Sequence, residues 1–66
     1  MKTLLSIDRT VRILDVIASH PNEYTLSSLS RLLEMPVTTL YGFCATMEYW
    51  KLLQKDEAGR FLLGCR

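Results

Sequence analysis

The sequence predicts a mainly α-helical domain closed by a small β-hairpin, the arrangement of a three-helix winged helix-turn-helix. Three observations carry that expectation. Apolar residues recur at helical spacing in three stretches between Ser6 and Trp50. The second and third stretches are separated only by Glu34-Met35, and Pro36 then stands where proline is favoured, at the first position of a helix. Beyond Lys51, two short apolar runs flank Asp56-Glu57-Ala58-Gly59, a turn in which Gly59 can take a positive φ.

The first helix is read from about Ser6 to Ser19. Ile7, Val11, Leu14, Ile17 and Ala18 recur on one face, Ser6 supplies an N-cap, and Asp8 sits in the first turn, where the helix dipole favours an acid. His20-Pro21-Asn22 ends it, because Pro21 disfavours helical backbone at the residue before it. His20 is expected to interact with the last carbonyls of the helix. At ~100° per residue, Ile13 and Val16 fall away from the first face, with Leu5 near them. Such a patch is either ordinary surface or a contact for another copy of the chain.

Tyr24 is placed in a strand of one or two residues. Thr25 reads as the N-cap of a second helix, Leu26 to Leu33, with Leu26, Leu29 and Leu33 on one face. The third helix runs from Pro36 to about Trp50. Its apolar side is Leu40, Phe43, Cys44, Met47 and Trp50. Val37, Thr38, Tyr41, Ala45, Glu48 and Tyr49 lie opposite, with Gly42 beside them. Trp50, Phe43 and Phe61 read as core, Tyr49 as packing on the hairpin, and Cys44 as a small buried apolar residue. The hairpin pairs Leu52–Lys55 with Arg60–Leu63, Phe61 and Leu63 facing one way and Leu62 the other.

Composition narrows the function. The chain has 66 residues, 48% hydrophobic and 23% charged, which suits one small globular domain with little room for a substrate cleft. Eight Lys+Arg against seven Asp+Glu leave a net charge of +1, so bulk charge points to neither a nucleic acid nor a membrane. Cys44 and Cys65 make no disulfide framework and, with His20 as their imidazole companion, no zinc spacing; a reducing, cytoplasmic setting is expected. Met1–Leu5 is no signal peptide, and no apolar run approaches the ~20 residues of a membrane span. There are no paired carboxylates in an apolar setting, no phosphate-cradling glycine loop and no nucleophile arranged around His20. An enzyme is not expected, nor a metal or a cofactor.

With two helices, a tight turn and a hairpin in place, the commonest use of the topology is insertion of the third helix in the DNA major groove. The residues also resemble a known family. Ser6-Ile7-Asp8-Arg9-Thr10-Val11-Arg12-Ile13-Leu14-Asp15 is similar to the opening helix of the DNA-binding domain of IclR-family bacterial transcription regulators. Thr25-Leu26-Ser27-Ser28-Leu29-Ser30-Arg31, Pro36-Val37-Thr38-Thr39-Leu40-Tyr41, Ala45-Thr46-Met47-Glu48 and Asp56-Glu57-Ala58-Gly59-Arg60-Phe61-Leu62-Leu63-Gly64 resemble its later motifs, in family order and spacing. The resemblance implies sequence-specific binding of double-stranded DNA by an operator-reading domain. It implies homodimers or dimers of dimers, with the first helix contributing to pairing, which favours Ile13 and Val16 as dimer contacts. It also implies a C-terminal domain binding a small-molecule effector. Residues 1–66 then read as a single winged helix-turn-helix domain, a fragment without that second domain, nucleoid-associated when on DNA.

Where the family often has Lys and Arg in the third helix, Val37 and Gly42 stand here, and no Lys or Arg occurs between Arg31 and Lys51. Guanine readout by arginine is therefore not available to this helix. Thr38, Thr39 and Tyr41 offer hydroxyls, and Val37 and Ala45 offer methyl groups that suit thymine methyls, which favours an A·T-containing half-site. The free N–H groups from Val37 to Thr39 suit a phosphate. Gly42 on the third helix, Thr25, Ser27 and Arg31 at the second helix, and Lys55 and Arg60 beside the hairpin turn, complete the candidate DNA-binding set. The alternative for the three cations is solvated surface, paired with Glu34, Asp56 and Glu57. Glu34 and Lys51 replace turn glycines of the family pattern, so a positive φ at either adds strain. The neutral third helix also motivates a second reading, a winged helix used for protein contact with little DNA affinity.

Overall fold

The computed structural model describes residues 4–64, in the order α1 (Leu5–Ser19), α2 (Leu26–Leu33), α3 (Val37–Tyr49), β1 (Leu53–Lys55) and β2 (Phe61–Leu63). The strands form an antiparallel hairpin in which Leu53 faces Leu63, Gln54 faces Leu62 and Lys55 faces Phe61. This is the three-helix winged helix-turn-helix read from the sequence. Cys65 and residues 1–3 of the N-terminal stretch Met1–Leu5 lie outside the described residues.

α1 begins one residue earlier than the sequence reading. Leu4 holds the cap position and offers no side-chain acceptor, so Ser6 is not the cap. Its carbonyl instead accepts from Thr10 Oγ1 at 2.8 Å. At the other end the backbone N–H of His20 donates to Val16 and Ile17. The imidazole turns away from the helix, with Nδ1 2.7 Å from Glu23 Oε2, which corrects the expected side-chain contact with the last carbonyls.

The core takes only part of the face of α1 that the periodicity picked, Ile17 with Leu14 against it, and adds Ile13 from beside it. Ile13 and Ile17 are completely buried, whereas Ile7 and Val11 are 59% and 58% exposed. Leu14 and Val16 are half-buried against the core, and Ala18 is exposed. The cause is where α1 lies. It packs on β2, and Ile13 and Ile17 join Phe61 in the core cluster. Ile13 therefore has no free surface to offer a partner, and of the two residues expected as a dimer contact only Val16 keeps partial exposure.

α2 matches its predicted bounds because both ends are chemically marked. Thr25 Oγ1 accepts from the Ser28 N–H at 3.3 Å, and Ser28 Oγ accepts from the Thr25 N–H at 2.8 Å, a reciprocal capping box. At its C-terminus Glu34 adopts left-handed backbone, φ 55° and ψ 42°. The Met35 N–H then returns to the Ser30 carbonyl, while the buried Ser30 hydroxyl donates to the Met35 carbonyl. These bonds close the turn between α2 and α3, and they seat Met35 in the core.

α3 starts after Pro36, which is its cap and not its first residue. Leu40, Cys44 and Met47 are buried and Phe43 half-buried, as the pattern required. Trp50 is not core. The helix stops at Tyr49, the chain reverses through Lys51 at φ 65°, and Trp50 is left 55% exposed on the rim, edge-on to Tyr49. Tyr49 is likewise exposed, not packed on the hairpin.

The hairpin contributes Leu53 and Phe61 to the core. Leu63 shares the inward side but is largely exposed, and Leu62 is half-buried. Tyr24 is not a strand, although its carbonyl accepts the Phe61 N–H at 2.8 Å and the Phe61 carbonyl accepts the Asn22 N–H at 2.9 Å. Two glycines are demanded here. Gly59 takes φ 80° in the turn, and a Cβ at Gly64 would lie 2.2 Å from the Lys51 carbonyl oxygen.

Candidate nucleic-acid interface

The face of α3 turned from the core is built of small and hydroxylated residues. Val37, Thr38, Thr39, Tyr41 and Gly42 are all exposed, and Ala45 is half-buried between them and the body of the domain. A Cβ added at Gly42 would meet nothing within 4 Å, so the middle of the helix is bare. The only ionisable carboxylate on α3, Glu48, is half-buried and lies 3.6 Å from Lys55 Nζ of β1.

The two helix N-termini of the helix-turn-helix are unlike. The start of α2 is satisfied by its capping box, so the half-buried Thr25 hydroxyl predicted for DNA is committed to Ser28, while Ser27 stays exposed. The start of α3 has no side-chain cap, and Leu40 is the first residue to bond back, to the Pro36 carbonyl at 2.9 Å. The N–H groups of Val37, Thr38 and Thr39 thus point along the helix axis toward solvent, at its positive end.

Cations flank this helix. Arg31 is exposed in the last turn of α2, and no ion pair among the described residues joins it to Glu34. Lys55 pairs with Glu48 and not with the turn acids, and also lies 5.7 Å from the Phe61 ring centroid. Arg60 does pair as the surface alternative required, Nε to Asp56 Oδ2 at 3.3 Å. Backbone donation from Arg60 holds the Asp56 carboxyl below its ordinary range, helped by the Asn22 amide, the Ala58 N–H and the Arg60 charge. Cys44 behaves oppositely. Burial first, then the nearby Glu48 carboxylate, pushes its thiol up to about 11, so it remains an inert thiol.

One surface escaped the sequence reading as an interface. Ile7, Val11, Leu14 and Ala18, read from the sequence as one apolar face together with Ile17, run along α1 as a stripe that is exposed except at the half-buried Leu14. Val11, Leu14 and Ala18 share a groove with Leu52 and Leu63. A second groove, with Phe43, Met47, Trp50 and Leu52 on its walls, opens beside it. The signal was present, since apolar residues cover more of α1 than a single core needs.

The IclR helix-turn-helix domain model matches residues 6–57. The chain belongs to this family. The matched span takes in the three helices, except the first residue of α1, together with β1, and stops short of β2. The fold also aligns with the crystal structure of the Agobacterium tumefaciens repressor BlcR, with a TM-score of 0.81 and 34% sequence identity over 94% of this chain. The alignment covers 25% of BlcR, so this IclR-type chain spans a quarter of that repressor's length. Curated proteins yield no match. Among the described residues no helix is long and apolar enough to cross a membrane.

Proposed function

We propose that this IclR-type domain reads operator DNA for a transcription regulator, with α3 in the major groove and the hairpin against the adjacent backbone or minor groove. The observation that carries the reading is the outer face of α3, exposed, uncharged and uncapped, in a family helix-turn-helix. The side chains of Thr38 and Tyr41 bring hydroxyls to base edges, and Val37 and Ala45 bring methyl groups that favour thymine. The bare backbone at Gly42 allows close approach. Ser27, Arg31, Thr39, Lys55 and Arg60 meet phosphates, and the free N–H groups at the start of α3 donate to one more.

Pairing belongs to the same proposal, relocated. A second copy covers the Ile7–Val11–Leu14–Ala18 stripe of α1, and two α3 helices then address half-sites about 34–36 Å apart, one helical turn. Within the longer regulator, a second domain would take the effector.

The test is anisotropy of a labelled random-sequence duplex from about 20 to 200 mM salt. A duplex binder loses affinity with a log–log slope near −0.9 per phosphate contacted. Thr38→Ala and Tyr41→Ala should then weaken binding to a selected operator, and Arg60→Ala should reduce the slope by about 1 on every duplex. A folded, paired chain that binds no duplex at the lowest salt would overturn the reading and leave protein contact as the use of the fold.

A further inference from the structure

Asn22, in the turn between α1 and α2, makes two bonds to the hairpin. Its backbone has φ 60°, which asparagine tolerates better than most residues. Its backbone N–H donates to the Phe61 carbonyl at 2.9 Å, and its Nδ2 donates to Asp56 Oδ2 at 3.1 Å, across 34 residues of sequence. Asp56 divides its carboxylate. Oδ1 accepts the N–H groups of Ala58 and Arg60, both at 2.9 Å, and so closes the turn at the hairpin tip. Oδ2 takes the Asn22 amide on one side and Arg60 Nε on the other.

We propose that Asn22 is a positioning residue for Arg60: through Asp56 Oδ2 it sets the direction in which the hairpin presents the guanidinium to DNA. This rests on the reading of the domain as a duplex binder. An exposed ion pair alone does little to hold a long side chain. Here the carboxylate is itself held, by two backbone donors on one oxygen and a distant amide on the other. Arg60 is thus referenced to the α1–α2 turn, and through it to the body that carries α3. Its guanidinium has five N–H donors, and Nε is the one engaged with Asp56, which leaves the terminal amino groups for a phosphate. Removing the amide leaves the Oδ1 bonds and the turn intact but frees Oδ2 to rotate with the hairpin.

Asn22→Gly isolates the tether, because glycine keeps the positive φ and the backbone N–H and deletes only the amide. Two readouts are compared in the parent, Asn22→Gly, Arg60→Ala and the double variant. One is affinity for a labelled random-sequence duplex, below the melting temperature of each protein. The other is ¹⁵N relaxation of Arg60 Nε without DNA. Arg60→Ala should weaken the parent more than it weakens Asn22→Gly, by about threefold or more, within the range of direct couplings. Arg60 Nε should be more disordered in Asn22→Gly than in the parent. Asn22→Asp, which sets a carboxylate against Asp56 and still tolerates φ 60°, should repeat both effects. Equal losses from Arg60→Ala in both backgrounds, or an Arg60 Nε equally ordered with and without the amide, would overturn the proposal. If Arg60→Ala does nothing even in the parent, the positioning role falls. The wider reading then stands or falls on Thr38→Ala and Tyr41→Ala, which do not touch this network.

Discussion

Glu34 and Lys51 hold left-handed backbone, φ 55° and φ 65°, in the two turns that bracket α3. Such a conformation costs an L-residue roughly 1–2 kcal/mol, whereas glycine adopts it freely. Replacing either by Gly also adds chain entropy to the unfolded state, on the order of 0.5–1 kcal/mol. Both side chains are exposed, and neither forms an ion pair among the described residues. The backbone bonds of the turns, Met35 N–H to Ser30 and Lys51 N–H to Glu48, survive the change. The net expectation for Glu34→Gly and for Lys51→Gly is a gain of about 0.5–1 kcal/mol each. The sites lie in separate turns, so the gains should add, and a domain of this size should melt about 4–16 °C higher as the double variant. Thermal melts followed by helical circular dichroism measure this. Most substitutions destabilise, so a rise is a demanding outcome. Gly59→Ala, at φ 80°, should move the other way. If both single variants melt at or below the parent, left-handed backbone is not the cost assigned to it here.

Three further outcomes are expected. Val11→Asp should abolish self-association in sedimentation while leaving monomer stability within about 0.5 kcal/mol, whereas Ile13→Ala should cost about 2–5 kcal/mol of stability through a core cavity. The Asp56 carboxyl is held low by its donors, so its contribution is fully present above the ordinary carboxylate range and is lost as pH falls through and below it. Acid titration of the parent against Asp56→Asn should show their stabilities converging at the acid end; a constant difference would contradict the assignment. Cys44, in a Cys65→Ser background, should stay silent to a thiol reagent at pH 8 until the chain unfolds, since burial holds its thiol at about 11.

What the sequence disclosed depended on whether a residue's role was local. Thr25 and Pro36 act within a few residues of themselves, so the bounds of α2 and the tight turn after it were legible. Glu34 and Lys51 were legible as points of strain only through the resemblance, which puts glycine at both positions. The face of α1 was not. Its apolar residues cover a broad arc, and spacing does not say which part of the arc belongs to the chain's own core. β2 decides that by lying against Ile13 and Ile17, and Ile7 and Val11 are left outside. Trp50 failed similarly. Its helical spacing from Met47 is correct, but α3 ends before it, and Leu53 and Phe61 supply the core from the hairpin instead. Among the candidate DNA residues, Thr25 was identified by type, while its engagement with Ser28 depends on the capping geometry.

The outer face of α3 has a consequence for how such a domain can change over generations. Thr38, Tyr41 and Gly42 are exposed and outside the core, and a Cβ added at Gly42 would meet nothing within 4 Å. Leu40, Cys44 and Met47, one turn around the same helix, carry the packing. On the proposed reading, binding preference and foldedness would be inherited by different residues of one helix. New target sequences would then be explored at the first set without approaching the stability threshold that the second set guards.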